Sequence, residues 1–216
     1  DVELNDENHT LSAYLKLNYT NNSNDKLDFI WFHLWPNAYK NNETAFAKQR
    51  LRLGSTKFHY SDRDEQGYID SLGFKVNNEK LELSFHPKWI DVAKVSLNKP
   101  LNPGETISIE TPFFVKIPKV FSRLGHKGKH YEMTQWYPKP AVYDKDGWHE
   151  MPYLNMGEFY SEFGTFDVKI TLPHDYIIMA TGDLIGGEKE YRWLDSLAIE
   201  GSKFLDMSDK EIKKWL

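Results

Sequence analysis

The residue types able to carry chemistry fall into a few short strings. His149 and Glu150 open an H-E-x-x pattern whose fifth position is Tyr153. A helical zinc site needs two imidazoles one turn apart on one face, so the string fails as a metallopeptidase motif and His149 reads as structural. Asp62, Asp64, Gln66 and Gly67 imitate the front of a calcium loop. Position twelve of that loop would be Gly73, which supplies no carboxylate, and the reading that remains is a solvated acidic turn. GHKGKH at 125–130 has two residues between its glycines where a phosphate loop has four, and His130 replaces the required Ser or Thr. It reads as a flexible basic loop or, more sharply, as a loop bordering the mouth of a site. Of the eight histidines only His126 and His130 have the spacing of one helical turn, and the glycine between them argues against a helix. No serine sits in G-x-S-x-G, and zero cysteines exclude disulfides, thiolate zinc sites and a cysteine nucleophile.

The densest concentration of contact chemistry is residues 131–167. Gln135, Trp136, Tyr137, Trp148, Tyr153, Phe159 and Tyr160 gather there around an Asp-Lys-Asp-Gly turn at 144–147. Asp144, Asp146, Glu150, Glu158 and Glu162 lie among them, and a turn and a solvated strand face account for most of these carboxylates. The stretch is too aromatic for a solvated loop and too polar for plain core. By residue chemistry alone it is a ligand-contact surface on a β domain.

The elements that position it read as strands. Leu11, Ala13, Leu15, Leu17 and Tyr19 alternate with polar residues, and Leu27 to Trp35 is largely apolar on both faces, His33 being among the exceptions, as suits a central strand. Tyr68, Leu72, Phe74 and Val76 predict one further strand, turned by Asn77 and Asn78 into Leu81 to Phe85. Strands follow at Val92 to Leu97 and Ile107 to Ile117, where Pro112 signals an edge or a bulge. Phe166, Val168, Ile170 and Leu172 predict another, and Tyr176 to Thr181 a last one. A short helix is expected over Thr44 to Leu51 and another from Ser208, whose spacing to Glu211 is that of a capping box. The fold class is mainly β, a sandwich or stack of sheets over residues 1–185, with a helical or irregular tail at 186–216.

Composition narrows the function classes. The net charge of −5 supplies no global basic field, so nucleic acid is not an expected partner. No run approaches the length of a membrane span. The chain opens at Asp1 rather than Met, and Trp215 and Leu216 give the last helix apolar surface with no segment after it. From both we expect a piece of a longer protein.

HLWPNAY at 33–39, LNPGETISIETPFFVKIP at 101–118, and the run from FSRLGHKGKHYEMTQWYPKPAVYDKDGWH through MPYLNMGEFYSEFGTFDVKITLPHDYIIMATGDL at 121–184 carry a resemblance. Together they resemble the N-terminal domain of gluzincin aminopeptidases, the family of aminopeptidase N and leukotriene hydrolase, and in particular a bacterial branch with the string QWYPKPAVYD. The resemblance covers residues 1–185 and implies a saddle-like stack of β-sheets that caps a separate thermolysin-like catalytic domain. In that family zinc is held by an H-E-x-x-H helix and a downstream Glu, and Gly-x-Met-Glu-Asn meets the substrate's free amine. Neither motif occurs in these residues. The resemblance therefore implies a fragment with no catalytic residue, metal site or cofactor of its own and no activity alone, zinc being expected in the missing domain. Its partners would be its own C-terminal catalytic domain and a peptide with a free amino terminus. The bacterial branch and the missing initiator favour a secreted or periplasmic location.

One site is carried over. The family places a Gln or Glu before the turn that ends a long strand, where it helps hold the substrate's α-amino group, and Gln135 matches that position. An amide oxygen accepts from an ammonium without adding charge. A plain hydrogen bond to a neighbouring strand is the alternative role. Alternation along a strand would then put Tyr137, rather than Trp136, on the same face as Gln135, which makes Tyr137 a candidate for the first side-chain pocket. The competing function is a free-standing β-sandwich module binding carbohydrate or peptide through Trp136, Trp148, Tyr153 and Tyr160, and a third is a purely structural domain of an inactive relative.

Overall fold

The computed structural model describes residues 1–205 and 207–215, the side chain of Trp215 excepted, so the apolar surface expected of Trp215 and Leu216 lies outside the described residues. The strands, in chain order, are β1 (Val2–Asn5), β2 (Thr10–Thr20), β3 (Leu27–His33), β4 (Tyr68–Asp70), β5 (Lys75–Val76), β6 (Glu79–Lys80), β7 (Glu82–Phe85) and β8 (Val92–Leu101). They continue with β9 (Thr106–Lys116), β10 (Leu124–Lys127), β11 (His130–Met133), β12 (Lys139–Pro140), β13 (Tyr143–Asp144), β14 (Gly147–Trp148) and β15 (Ile170–Thr171). The helices are α1 (Ala45–Arg52), α2 (Glu188–Ser202) and α3 (Asp209–Trp215), with a 3-10 turn at Trp35–Tyr39 after β3. The fold is mainly β with several sheets and a short helical C-terminal segment.

A seven-stranded sheet runs β15-β1-β2-β9-β5-β6, with β4 also pairing β9, and a four-stranded sheet runs β12-β3-β8-β7. Their inner faces supply the core. Leu11, Ile69, Ile109, Phe113 and Val115 come from the first sheet and Ile30, Phe32 and Val95 from the second, and Phe32 meets Phe74 at 4.7 Å between ring centroids. The period-two alternation of β9 is the cause, since its odd-numbered residues from Ile109 to Val115 are all buried. A second cluster lies beyond β3, where Trp35, Tyr39, Phe46, Phe58, Phe121, Leu124 and Tyr153 pack together. Thr44 caps α1 by accepting from Ala47 N at 3.2 Å, which sets Phe46 into that cluster.

Pro112 sits inside the large sheet rather than at its edge. Its partner Tyr14 spends both backbone groups on Asp1, so the missing N–H of Pro112 points away from β2. On that other side the neighbouring strand is interrupted. The single strand expected from Tyr68 to Val76 is two short ones, β4 and β5, separated by Ser71 in a left-handed conformation (φ 57°), and the Thr111 hydroxyl bridges the gap by accepting from Gly73 N at 3.0 Å. Pro112 is tolerated because no ladder donor is asked of it.

Two further expectations fail at the C-terminal side. The strand over Phe166–Leu172 is reduced to β15, which adds to β1 in parallel over Ile170 and Thr171 only. Tyr176–Thr181 forms no strand. The described residues divide into two compact units, Asp1–Asp175 and Tyr176–Leu216, somewhat before the boundary expected at 185. Within the second unit α2 is a fifteen-residue helix with no buried residue. In α3, Ser208 N and Oγ both donate to Glu211 Oε2, at 2.9 and 2.6 Å, the side-chain half of the expected capping box. No helix among the described residues is long and apolar enough to cross a membrane.

Candidate functional site

β10 and β11 form a hairpin closed by Gly128 and Lys129, so GHKGKH is an ordered turn and not a flexible loop. His126 is buried there, its ring stacked on His9 at 3.5 Å, and His9 Nδ1 pairs with the Tyr131 hydroxyl at 2.6 Å. Burial, reinforced by His9, holds the His126 pKa below its ordinary value. After β11 the chain must swing over to β12, and Gln135 makes the turn with φ at +55°. A side chain in the left-handed region costs on the order of 1 kcal/mol.

What the turn achieves is to aim the Gln135 amide at a lysine. Gln135 Oε1 accepts from Lys139 Nζ at 2.6 Å, and the same ammonium donates to Ser161 Oγ at 2.7 Å. It stands 4.1 Å from the centroid of the Trp35 ring and 6.0 Å from that of Phe159, a cation held on aromatic faces. The cage is fixed from below. Lys139 pairs in register with His33 on β3, His33 stacks on Trp35 at 4.4 Å, and Trp35 Nε1 donates to Met151 O at 3.1 Å. Burial pulls the Lys139 pKa down to about 8, with no carboxylate partner among the described residues. Beside the cage, Met151, Pro152, Leu154, Gly157, Glu158 and Phe159 line a small hollow.

Two more buried polar groups support this region. Asp91 Oδ2 accepts from Tyr153 N at 2.7 Å, and burial outweighs that bond, raising its pKa to about 6. His33 Nε2 accepts from Met151 N at 3.3 Å, and burial lowers its pKa to about 3, so the imidazole is neutral under ordinary conditions.

The expected site residues part company. Gln135 goes with Lys139, Ser161 and Trp35. The ring of Tyr137 instead packs edge-on against Trp136 at 5.5 Å and Phe166 at 6.0 Å, and burial raises its hydroxyl pKa. Residues 134–138 are not strand, so alternation has nothing to act on there. Lys139, Ser161 and Trp35 escaped the sequence reading. The signal available for Lys139 was its place between Pro138 and Pro140, which bars helix and commits the lysine to a short extended segment.

Several other candidates pair or pack within the fold. Asp144 accepts from His149 Nε2 at 2.8 Å, from Asp146 N at 2.9 Å and from the Tyr160 hydroxyl at 3.1 Å, which locks the β13–β14 hairpin. The bond from His149 is the largest cause of its pKa falling to about 2. Tyr153, a stacking candidate, is core, and its hydroxyl pairs with Ser122 Oγ at 3.0 Å. The Asp62–Gly67 segment is the expected acidic turn, tied down by Lys119 to Glu65 at 2.7 Å. Gly67 is required in it, because a Cβ would stand 2.6 Å from Lys116 O. Among the described residues no group of three or more His, Asp and Glu side chains is placed to hold a metal. No family model matches the chain, and no curated protein matches it.

Proposed function

We propose that this chain is the substrate-capping β domain of a zinc aminopeptidase, contributing an amine-binding residue, Gln135, to a cleft completed by a separate catalytic domain. The observation that carries the reading is that Gln135 Oε1 already accepts a primary ammonium, that of Lys139, in a cage walled by Trp35 and Phe159. An acceptor oxygen beside aromatic faces suits the ammonium of a peptide's amino terminus as it suits that of a lysine. The resemblance across residues 33–39, 101–118 and 121–184 supports the same reading. Zinc would be held outside these residues, and all bond cleavage belongs to the partner domain.

The encoded protein is then expected to carry an H-E-x-x-H helix beyond this domain, and a reading frame without one removes the proposal. In the complete enzyme Gln135→Ala should raise KM for peptides with a free amino terminus roughly tenfold, the worth of a hydrogen bond to a charged group. An unchanged KM would take Gln135 out of the site.

A second reading, a free-standing binding module, is favoured by a different surface. Trp148, Phe29, Trp31, His86 and Trp89 form a continuous row of half-buried rings with successive centroids 6.0, 6.0, 5.4 and 4.3 Å apart. Quenching of tryptophan fluorescence by an oligosaccharide, lost in Trp31→Ala, would support that module, and no response across glycans would count against it.

A further inference from the structure

The Lys139 cage is built like a receptor for a primary ammonium, and the chain fills it from within. Gln135 Oε1 and Ser161 Oγ take two of the three N–H donors of Lys139, and the Trp35 face lies against the charge. An amide oxygen has two lone pairs, so Gln135 has room for one more donor. A second ammonium on that oxygen would stand about 4–5 Å from Lys139 Nζ, given ordinary hydrogen-bond lengths. Two like charges at that separation in a half-buried aromatic cage repel strongly.

We propose that Lys139 is a tethered competitor at the amine site, so that an incoming primary ammonium binds Gln135 Oε1 as Lys139 gives up its proton to solvent. The proposal rests on the reading of Gln135 as the acceptor of the substrate amine. The proton balance is simple: one N–H bond of Lys139 is broken, its lone pair stays on Nζ, and the substrate keeps its own ammonium. Lys139 is thus a specificity-determining residue and takes no part in bond cleavage.

The surroundings make that exchange feasible near neutrality. His33, opposite Lys139 in register, is neutral over this range and adds no charge. Arg123 lies 5.2 Å from the centroid of Phe159 and adds positive charge to that wall. Glu158 and Glu162 are on the segment that carries Phe159 and Ser161, and neither is paired with Lys139. Burial has already brought the Lys139 pKa to about 8, so losing its proton is far easier than for a solvated lysine.

Three measurements test this. In the 216-residue chain, selectively labelled lysine followed by NMR should show Lys139 titrating near 8, and lower still in Gln135→Leu, which removes an acceptor from the charged form. A Lys139 titrating with the other lysines, or unmoved by Gln135→Leu, overturns the proposal and leaves the aminopeptidase reading in place. In the complete enzyme KM for a free-amine peptide, counted on its ammonium form, should fall about tenfold from pH 6.5 to 8 as Lys139 deprotonates. Lys139→Met should abolish that fall and bind well at pH 6.5, whereas Lys139→Arg should stay weak at both pH values. Identical pH profiles in wild type and Lys139→Met, together with a raised KM in Gln135→Ala, overturn the competition alone. A Gln135→Ala enzyme with unchanged KM overturns both the competition and the reading beneath it.

Discussion

The ground around Trp35 and the stretch from Met156 to Thr171 are both rich in aromatic and branched residues, yet apart from Phe159 and Ser161, which join the cage at Trp35, the second ends in the opposite state. Near Trp35 the rings of Tyr39, Phe46, Phe58 and Tyr153 are buried, and polar groups are drawn in with them. Along the second stretch Met156, Phe163, Phe166 and Val168 are exposed, Phe163 fully so. Phe166, Val168 and Ile170 have the alternation of a strand, but only Ile170 and Thr171 find an edge, that of β1. Periodicity describes what a segment can bury. Whether it becomes a strand depends on a partner edge, and the described residues offer one over two positions only.

The sharpest way to break this contrast is by truncation. Phe46→Ala empties a fully buried site and should cost about 3–5 kcal/mol, while Phe166→Ala should stay within about 0.5 kcal/mol. Urea midpoints for the two variants decide it. Equal losses would mean that the stretch is packed in solution as firmly as the core.

Asp91 sharpens the comparison from the buried side. Asp91→Ala leaves the Tyr153 N–H without its acceptor and should cost about 1–3 kcal/mol, whereas Asp91→Asn keeps an oxygen there and removes a buried charge. At pH 7 the Asn variant should be at least as stable as wild type. Its pH dependence follows from two opposed groups. The Asp91 pKa is raised from 3.8 to about 6, so its contribution is present below 4 and is lost as pH rises through 6. The His33 pKa is lowered from 6.5 to about 3, so its contribution is present above 6.5 and is lost as pH falls towards 3. Between pH 4 and 6 the two oppose each other, and Asp91→Asn should lose stability on acidification more steeply than wild type. A parallel pair of curves would show that Asp91 titrates normally.

Much of this could be read from residues because the governing signal was local. Alternation located β2 and β9, Thr44 marked the start of α1, and the two asparagines marked a turn, although it closes onto β6 while the expected partner over Leu81 to Phe85 becomes β7 and joins the other sheet. Resemblance singled out Gln135 as a candidate, but nothing in the sequence pointed to the side chains around it. Its left-handed backbone, the reach of Lys139 and the approach of Ser161 from 22 residues beyond Lys139 are products of tertiary placement. The alternation argument for Tyr137 failed for the same reason, since it assumed a strand that Gln135 interrupts. The expectation that Pro112 marks an edge or a bulge failed, because what tolerates it is the gap between β4 and β5 in the neighbouring strand, some forty positions away.

The smallest expected effect probes that local limit. Asn77 and Asn78 have φ of 49° and 66° and close β5 onto β6 with Lys75 opposite Lys80 and Val76 opposite Glu79. Positive φ at both central residues of a two-residue loop is the type I′ arrangement, whose second position favours glycine. Asn78→Gly should therefore match or raise stability by about 0.5 kcal/mol, and Asn78→Ala should lower it by about 1 kcal/mol, because a Cβ is disfavoured in that region. If Ala were tolerated as well as Gly, the turn would owe its shape to the sheet around it. The hairpin would then belong with the segment after Met156, where placement rather than local sequence decides the outcome.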